Sequence, residues 1–255
     1  MAEKRKLMKD YDFHEFVSKL EYLQGPSVTF HVGTETFKLP KGLVCHNSTY
    51  FDRAFNGEFI EGKTQSITVS TSVDTFKQVI QWMYTSQVTL PSPTPSKKPK
   101  IQVTDSSTVE FKDVDSQQVT DLIQFLVYAD EINLLGPFDK IIDTLKSILI
   151  RNSACLLPQH IRTAYQLPRH HPLQKLVVQA CILDYAYYIT RHWPSMHTTP
   201  RRVFRFNEEK AELDSFAADL LQEFEEVAKM SFEDEDGDFH WFDTLSKKGI
   251  DLAFY

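Results

Sequence analysis

The stretch "SVTFHVGTETFKLP", residues 27–40, constrains the fold more than any other part of the chain. Val28, Phe30 and Val32 alternate with polar residues, the period of a half-buried strand. "TETFKL" resumes the pattern after a tight Gly33-Thr34 connection, so the two runs read as a β-hairpin. Pro40 ends the second strand and suits the first turn of a helix, where its missing N–H is harmless. "QSITVST", residues 65–71, reads as another strand, and weaker alternation in "KIQVTDSSTVEF", residues 100–111, is compatible with a small hairpin. The other periodic segments carry the spacing of helices. The expected fold is therefore α+β: a small β-sheet of a few strands flanked by a cluster of α-helices.

The helical segments are read from their apolar stripes. Phe13, Phe16, Val17, Leu20 and Leu23 form one face over residues 12–24, and Gly25-Pro26 stops that helix. Tyr50, Phe51, Ala54 and Phe55 share a face, with Ser48 placed to accept from a free N–H at the helix start. Val73, Phe76, Val79, Ile80 and Met83 form the next. Val119 to Ile132 and Phe138 to Leu149 follow, separated by Gly136-Pro137. Between them, "PSPTPSKKPK" opens a Pro/Ser/Lys-rich insertion at 91–118 that reads as a solvated linker. Beyond 150 the pattern stays helical, and "NEEKAELDSFAADLLQEFEEVAKM" predicts one long amphipathic helix with Asn207 as N-cap. Three regions are expected: an N-terminal helix at 1–26, a mixed domain at 27–150, and an all-helical C-terminal extension at 151–255 with an acidic tail.

Composition narrows the function classes. Three cysteines at wide spacing are not a disulfide framework and suit a reducing compartment. "MAEKRKLMKD" lacks the apolar run of a signal peptide, and no stretch approaches a membrane span, so a cytoplasmic or nuclear protein is expected. Residues 201–255 hold 7 Lys/Arg against 15 Asp/Glu, which concentrates the net charge of −7 at the C-terminal end. No basic footprint for nucleic acid is present. No glycine-rich phosphate loop, metal quartet or nucleophile elbow occurs either, so no catalytic residue, cofactor or metal is assigned.

The order of these elements and the residues on them resemble the BTB/POZ domain, most closely the stand-alone BTB proteins of fungi. The match runs from "SVTFHVGTETFKLPKGLVCHNSTYFDRAFNGEFIEGK" through "SITVSTSVDTFKQVIQWMYTSQV", and is carried by Val32, Gly33, Lys41, Leu43, Ser48, Tyr50, Phe51, Phe59, Glu61, Phe76, Trp82 and Tyr84, among others. "LIQFLVYADEINLLGPFDKIIDTLKSIL" is similar to the family's closing helix pair. The chain departs from the family at Ser27, where Asp is usual, and at Pro40, where His is usual; both lie near the strand-exchanged dimer of the animal branch. The resemblance implies protein partners, among them a cullin of a ubiquitin ligase or a second copy of the chain.

Candidate sites follow with their alternatives. Phe59-Ile60-Glu61 matches in type and place the hydrophobic-x-Glu motif with which BTB adaptors dock cullins; the alternative is a Phe packed inward and a Glu capping a backbone N–H. Phe13, Phe16, Val17, Leu20 and Leu23 are either a dimerisation face or a face folded onto the chain's own domain. Cys45-His46 invites a catalytic reading, but neighbours on a helix point about 100° apart, so a buried thiol beside an imidazole is expected. His170-His171 with Cys181 fits no zinc spacing and reads as a surface loop. "FEDEDGDFHWFD" places Phe232 where a calcium loop needs a carboxylate, and reads as a solvated acidic segment. The Pro/Lys run at 95–100 reads as linker rather than as an import signal.

Overall fold

A computed structural model describes residues 5–90, 114–191, 203–233 and 239–250. The chain divides into two compact units, Met1–Val114 with Asp121–Phe138, and Asp115–Thr120 with Asp139–Tyr255.

In the first unit, α1 (Phe13–Lys19) starts at Asp12, whose carboxylate accepts from the Glu15 N–H at 2.9 Å. A 3-10 turn (Leu20–Leu23) completes the expected helix. The strands β1 (Ser27–Val32) and β2 (Glu35–Pro40) pair antiparallel with Val32 opposite Glu35. Only Gly33-Thr34 lies between them, and Gly33 takes φ +56°, as so tight a turn requires. Next come α2 (Lys41–Asn47), α3 (Thr49–Asn56) and α4 (Ile60–Thr64), then β3 (Ser66–Val69) and α5 (Val73–Thr85). Pro40 sits at the N-cap of α2, one position ahead of the first turn. The strand β3 runs parallel to β1, giving the sheet order β2-β1-β3.

Alternation along β1 puts Phe30 at the centre of the core, fully buried. Its ring meets Phe51, Phe55 and Phe76 with centroids 5.0, 5.6 and 5.0 Å away, mostly edge-on, the arrangement that ring quadrupoles favour. α6 (Val114–Glu131) begins five residues before Val119, the first residue of its apolar stripe, and so takes in the last residues of the expected insertion; it is divided between the units at residue 120. Two motif side chains fasten the segment after it. The buried Ser48 hydroxyl accepts from the Phe51 N–H at 3.1 Å and donates to the Ile132 carbonyl at 2.6 Å. The Trp82 indole N–H donates to the Leu135 carbonyl at 2.9 Å, and its ring packs on Phe125 and Phe138.

The second unit contains α7 (Asp139–Arg151), α8 (Pro158–Ala164), α9 (Pro172–Arg191), α10 (Asn207–Glu212) and α11 (Asp214–Met230). Buried His160 fixes the start of α8: Nδ1 accepts from the Leu157 N–H at 3.1 Å, and Nε2 meets the Thr120 hydroxyl at 2.8 Å. Two expectations are corrected here. The single long helix is broken at Leu213, and its cap is Phe206 rather than Asn207. The Arg162 guanidinium pairs with both the buried Glu209 and Glu212 on α10, and after Leu213, which leaves helical geometry, Asp214 starts α11 with an acid in its first turn. Among the described residues the regular elements of the C-terminal extension are helices up to Met230, but the extension is not all-helical beyond it. β4 (Phe232–Glu233), β5 (Phe239–Asp243) and β6 (Lys248–Ile250) form an antiparallel sheet. The acids of the tail masked a strand whose aromatic Trp241 packs on Phe224 of α11 at 5.9 Å, a contact between segments distant in sequence. Residues 91–113 of the insertion expected at 91–118, the Pro/Lys run and the suggested hairpin at 100–111 lie outside the described residues, as do residues 234–238 of the acidic segment.

Candidate functional site

The loop between α3 and β3 is built to hold its apolar residues outward. Phe59 is 63% exposed and Ile60 70% exposed, the two highest values among the described large apolar side chains of the first unit. Glu61 lies in the first turn of α4, half-buried, and its carboxylate makes no hydrogen bond or ion pair among the described residues. The inward-packed alternative for Phe59 does not match this geometry. Beneath the triplet the backbone is pinned. Lys41 donates to the Phe55 carbonyl at 2.9 Å, satisfying the C-terminal end of α3. Gln65, with φ +52°, donates from its side chain to the Phe55 carbonyl at 3.2 Å and the Gly62 carbonyl at 2.5 Å.

Two glycines let the loop close. A Cβ at Gly62 would lie 2.3 Å from the Gly57 carbonyl oxygen, and one at Gly57 would lie 2.4 Å from the Arg53 carbonyl oxygen. Sequence reasoning missed Gly57, Gly62 and Gln65 as parts of this site. The available signal was that the chain has only 8 glycines and spends two of them here. The outcome is a rigid presentation of two large apolar side chains with an uncommitted carboxylate beside them, which can anchor a protein surface without first ordering the loop.

The N-terminal segment packs on α2. Leu7 is buried, and the His46 Nε2–H donates to the Lys6 carbonyl at 2.7 Å. The Tyr22 ring stacks on His46 at 4.7 Å, and Arg5 pairs with Asp52 at 2.5 Å. Gly42 permits this approach, since a Cβ there would lie 2.9 Å from the Tyr22 Cα. The face that docks is thus made by Leu7 and Tyr22. The expected stripe behaves otherwise: Phe16, Val17 and Leu23 are exposed at 38, 51 and 37%, and Leu20 is half-buried. Phe13 opens α1.

Cys45 and His46 do not form a reactive pair. Burial, reinforced by the nearby Asp52 carboxylate, pushes the Cys45 thiol up to about 11, so it stays protonated at neutral pH. Burial also lowers His46, and its Nε2 is occupied by the Lys6 carbonyl. Cys181 is fully buried inside α9, where burial raises its thiol, while His170 lies exposed in the turn before that helix. Asp243, the last carboxylate of the calcium-like pattern, accepts from the Leu245 and Ser246 N–H groups at 3.0 Å each and so caps a turn. Among the described residues no group of three or more His, Cys, Asp or Glu side chains could hold a metal ion, and no helix is long and apolar enough to cross a membrane.

A comparison with curated proteins finds no match. The family model of the BTB/POZ domain matches residues 20–98, which take in the hairpin, the α2–α3 pair, the pinned loop, β3 and α5. With the sheet order β2-β1-β3 and the helices packed around Phe30, residues 20–98 are thereby identified as a BTB/POZ domain within the chain.

Proposed function

We propose that this BTB/POZ protein is a non-catalytic adaptor that docks a cullin-type ubiquitin-ligase scaffold through Phe59-Ile60-Glu61. A BTB/POZ domain is a protein–protein interaction module, and that much does not depend on the loop. The observation that carries the finer reading is the exposure of Phe59 and Ile60 above a backbone pinned by Lys41 and Gln65. Seating two such side chains in an apolar groove stabilises a complex by roughly 1.5–3 kcal/mol each. Glu61, unpaired, is available to a basic residue or helix N-terminus of the partner. The test is binding of the full chain to a purified cullin N-terminal domain. Phe59→Ala should weaken it about 30-fold, the effect of losing a hot-spot residue, and Glu61→Lys should also weaken it. No binding by the wild type, or binding untouched by both changes, removes the cullin reading.

A second reading has its own support. Phe16, Val17 and Leu23 are exposed among the described residues of the first unit, and self-association through α1, with Phe13 and Leu20 on the same helical run, would bury them. Ser27 and Pro40 argue for a pairing other than strand exchange. Light scattering should then show a dimer that Val17→Glu converts to a monomer; the mass of a single chain at high concentration rejects it.

A further inference from the structure

The sheet of the first unit ends on β2, and the outer edge of that strand is open. In a hairpin closed by two residues the flanking pair, here Val32 and Glu35, exchanges both backbone hydrogen bonds. Alternation then joins Phe30 to Phe37 and Val28 to Leu39 in the same way, and turns the N–H and C=O groups of Thr36 and Lys38 away from β1. The Thr29 N–H, which leaves β1 on its other side for the Gln65 carbonyl at 2.9 Å, confirms the phase. Thr36 and Lys38 are exposed, and these backbone groups have no partner among the described residues. No bulge interrupts the register, and Pro40 closes only the far end of the strand. Beside the edge lies apolar surface. Lys77 donates to the Glu35 carboxylate at 2.9 Å, which sets the face of α5 shared by Val73, Lys77 and Ile80 on the β2 side. Val73 and Ile80 are half-buried there, and half-buried Phe37 packs on Phe76 at 5.3 Å.

Backbone donors and acceptors at strand spacing, with apolar surface under alternate side chains, are what an added strand uses. Charge selects the occupant. Lys38 makes no hydrogen bond or ion pair among the described residues. A second β2 pairing through the same residues would set Thr36 against Lys38 and place the two Lys38 side chains diagonal to each other, which their like charge opposes. We propose that β2 takes an extended acidic-apolar segment of a partner protein as a fourth, antiparallel strand. The partner's acidic residue lies opposite Lys38. Its next residue, apolar, lies opposite Phe37 on the inner face, and the one after that meets Thr36. The site uses none of Phe59, Ile60 and Glu61, so it stands or falls separately from cullin docking.

The test is selection from a library of random octapeptides displayed between flexible linkers, with the full chain as bait. Fluorescence polarisation and amide hydrogen exchange by NMR then follow with the enriched peptides. Peptides carrying an acidic residue followed by an apolar one should be enriched. Binding should slow exchange of the Thr36 and Lys38 N–H groups about tenfold or more, while those of Glu35 and Phe37, already bonded to β1, change little. Replacing the peptide's acid by Lys should weaken binding about fivefold, the worth of an exposed ion pair. Lys38→Glu should reverse that preference, and N-methylation of the peptide residue opposite Thr36 should abolish binding. Phe59→Ala should leave it unchanged. No enrichment, unchanged exchange at Thr36 and Lys38, or a Lys38→Glu variant that keeps the acidic preference would each overturn the proposal. So would protection of those two amides in the unliganded chain together with a doubled mass, which would make the occupant a second copy.

Discussion

Ser48 gives the sharpest test of how this domain is held together. Two serines in the first unit cap helices in the same way. Ser72 accepts from the Thr75 N–H at 3.0 Å, touches the Thr75 hydroxyl at 2.8 Å, and is exposed. Ser48 accepts from the Phe51 N–H at 3.1 Å, is fully buried, and in addition donates to the Ile132 carbonyl 84 residues away. Removing a cap costs about 1 kcal/mol, and that is the loss expected for Ser72→Ala. In Ser48→Ala the Ile132 carbonyl also loses its donor where water cannot replace it, which adds about 1–3 kcal/mol. The expected loss for Ser48→Ala is therefore about 2–4 kcal/mol. Urea unfolding followed by Trp fluorescence and circular dichroism, with unchanged m-values as the check on comparability, measures both. Equal losses for the two variants, within about 0.5 kcal/mol, would refute the claim that the Ser48 to Ile132 hydrogen bond fastens the segment after α6.

Three further outcomes are expected. His160 has its pKa lowered by burial to about 4. The unfolded chain therefore binds the extra proton first, and stability is full above pH 6.5 and falls as pH drops toward 4, by roughly 1 kcal/mol at pH 5.5 and roughly 3 kcal/mol at pH 4. Denaturant titrations at stepped pH should show this slope in the wild type and a shallower one in His160→Leu. Gly62→Ala should destabilise by about 1–3 kcal/mol and weaken partner binding even though Phe59 and Glu61 are intact, because the loop must move off the Gly57 carbonyl; a crystal structure of the variant with the loop unshifted would count against this. Cys45 should react with iodoacetamide far more slowly than free cysteine at pH 7.5, since its thiol titrates near 11, and quench-flow mass spectrometry reads the rate directly.

Most of the first unit was legible in the sequence because its information is local. Alternation in 27–40 dictated the hairpin and the inward side of Phe30, and helical spacing identified the buried Phe51, Ala54 and Phe55 of α3 and Phe76, Val79 and Met83 of α5, although Tyr50 of the α3 stripe stays 47% exposed. The capping role of Ser48 could be read from its position before an apolar stripe. Those patterns depend on a residue and its near neighbours, and burial of the resulting faces follows from the hydrophobic effect without knowledge of the partner. What the sequence left open depended on pairs far apart. Whether Phe59 turns in or out is decided by Gly57, Gly62, Gln65 and Lys41 acting together on one stretch of backbone. Whether the α1 stripe packs on its own domain or faces outward was open in the sequence; Gly42 admits Tyr22 and His46 bonds the Lys6 carbonyl, so another surface of the same segment docks. Arg162 pairs with Glu209 and Glu212, some 50 residues away, and Trp241 of β5 packs on Phe224 of α11. A period can be seen in one dimension; a guanidinium gripping two carboxylates, or a ring covered by another helix, exists only once the chain has closed on itself.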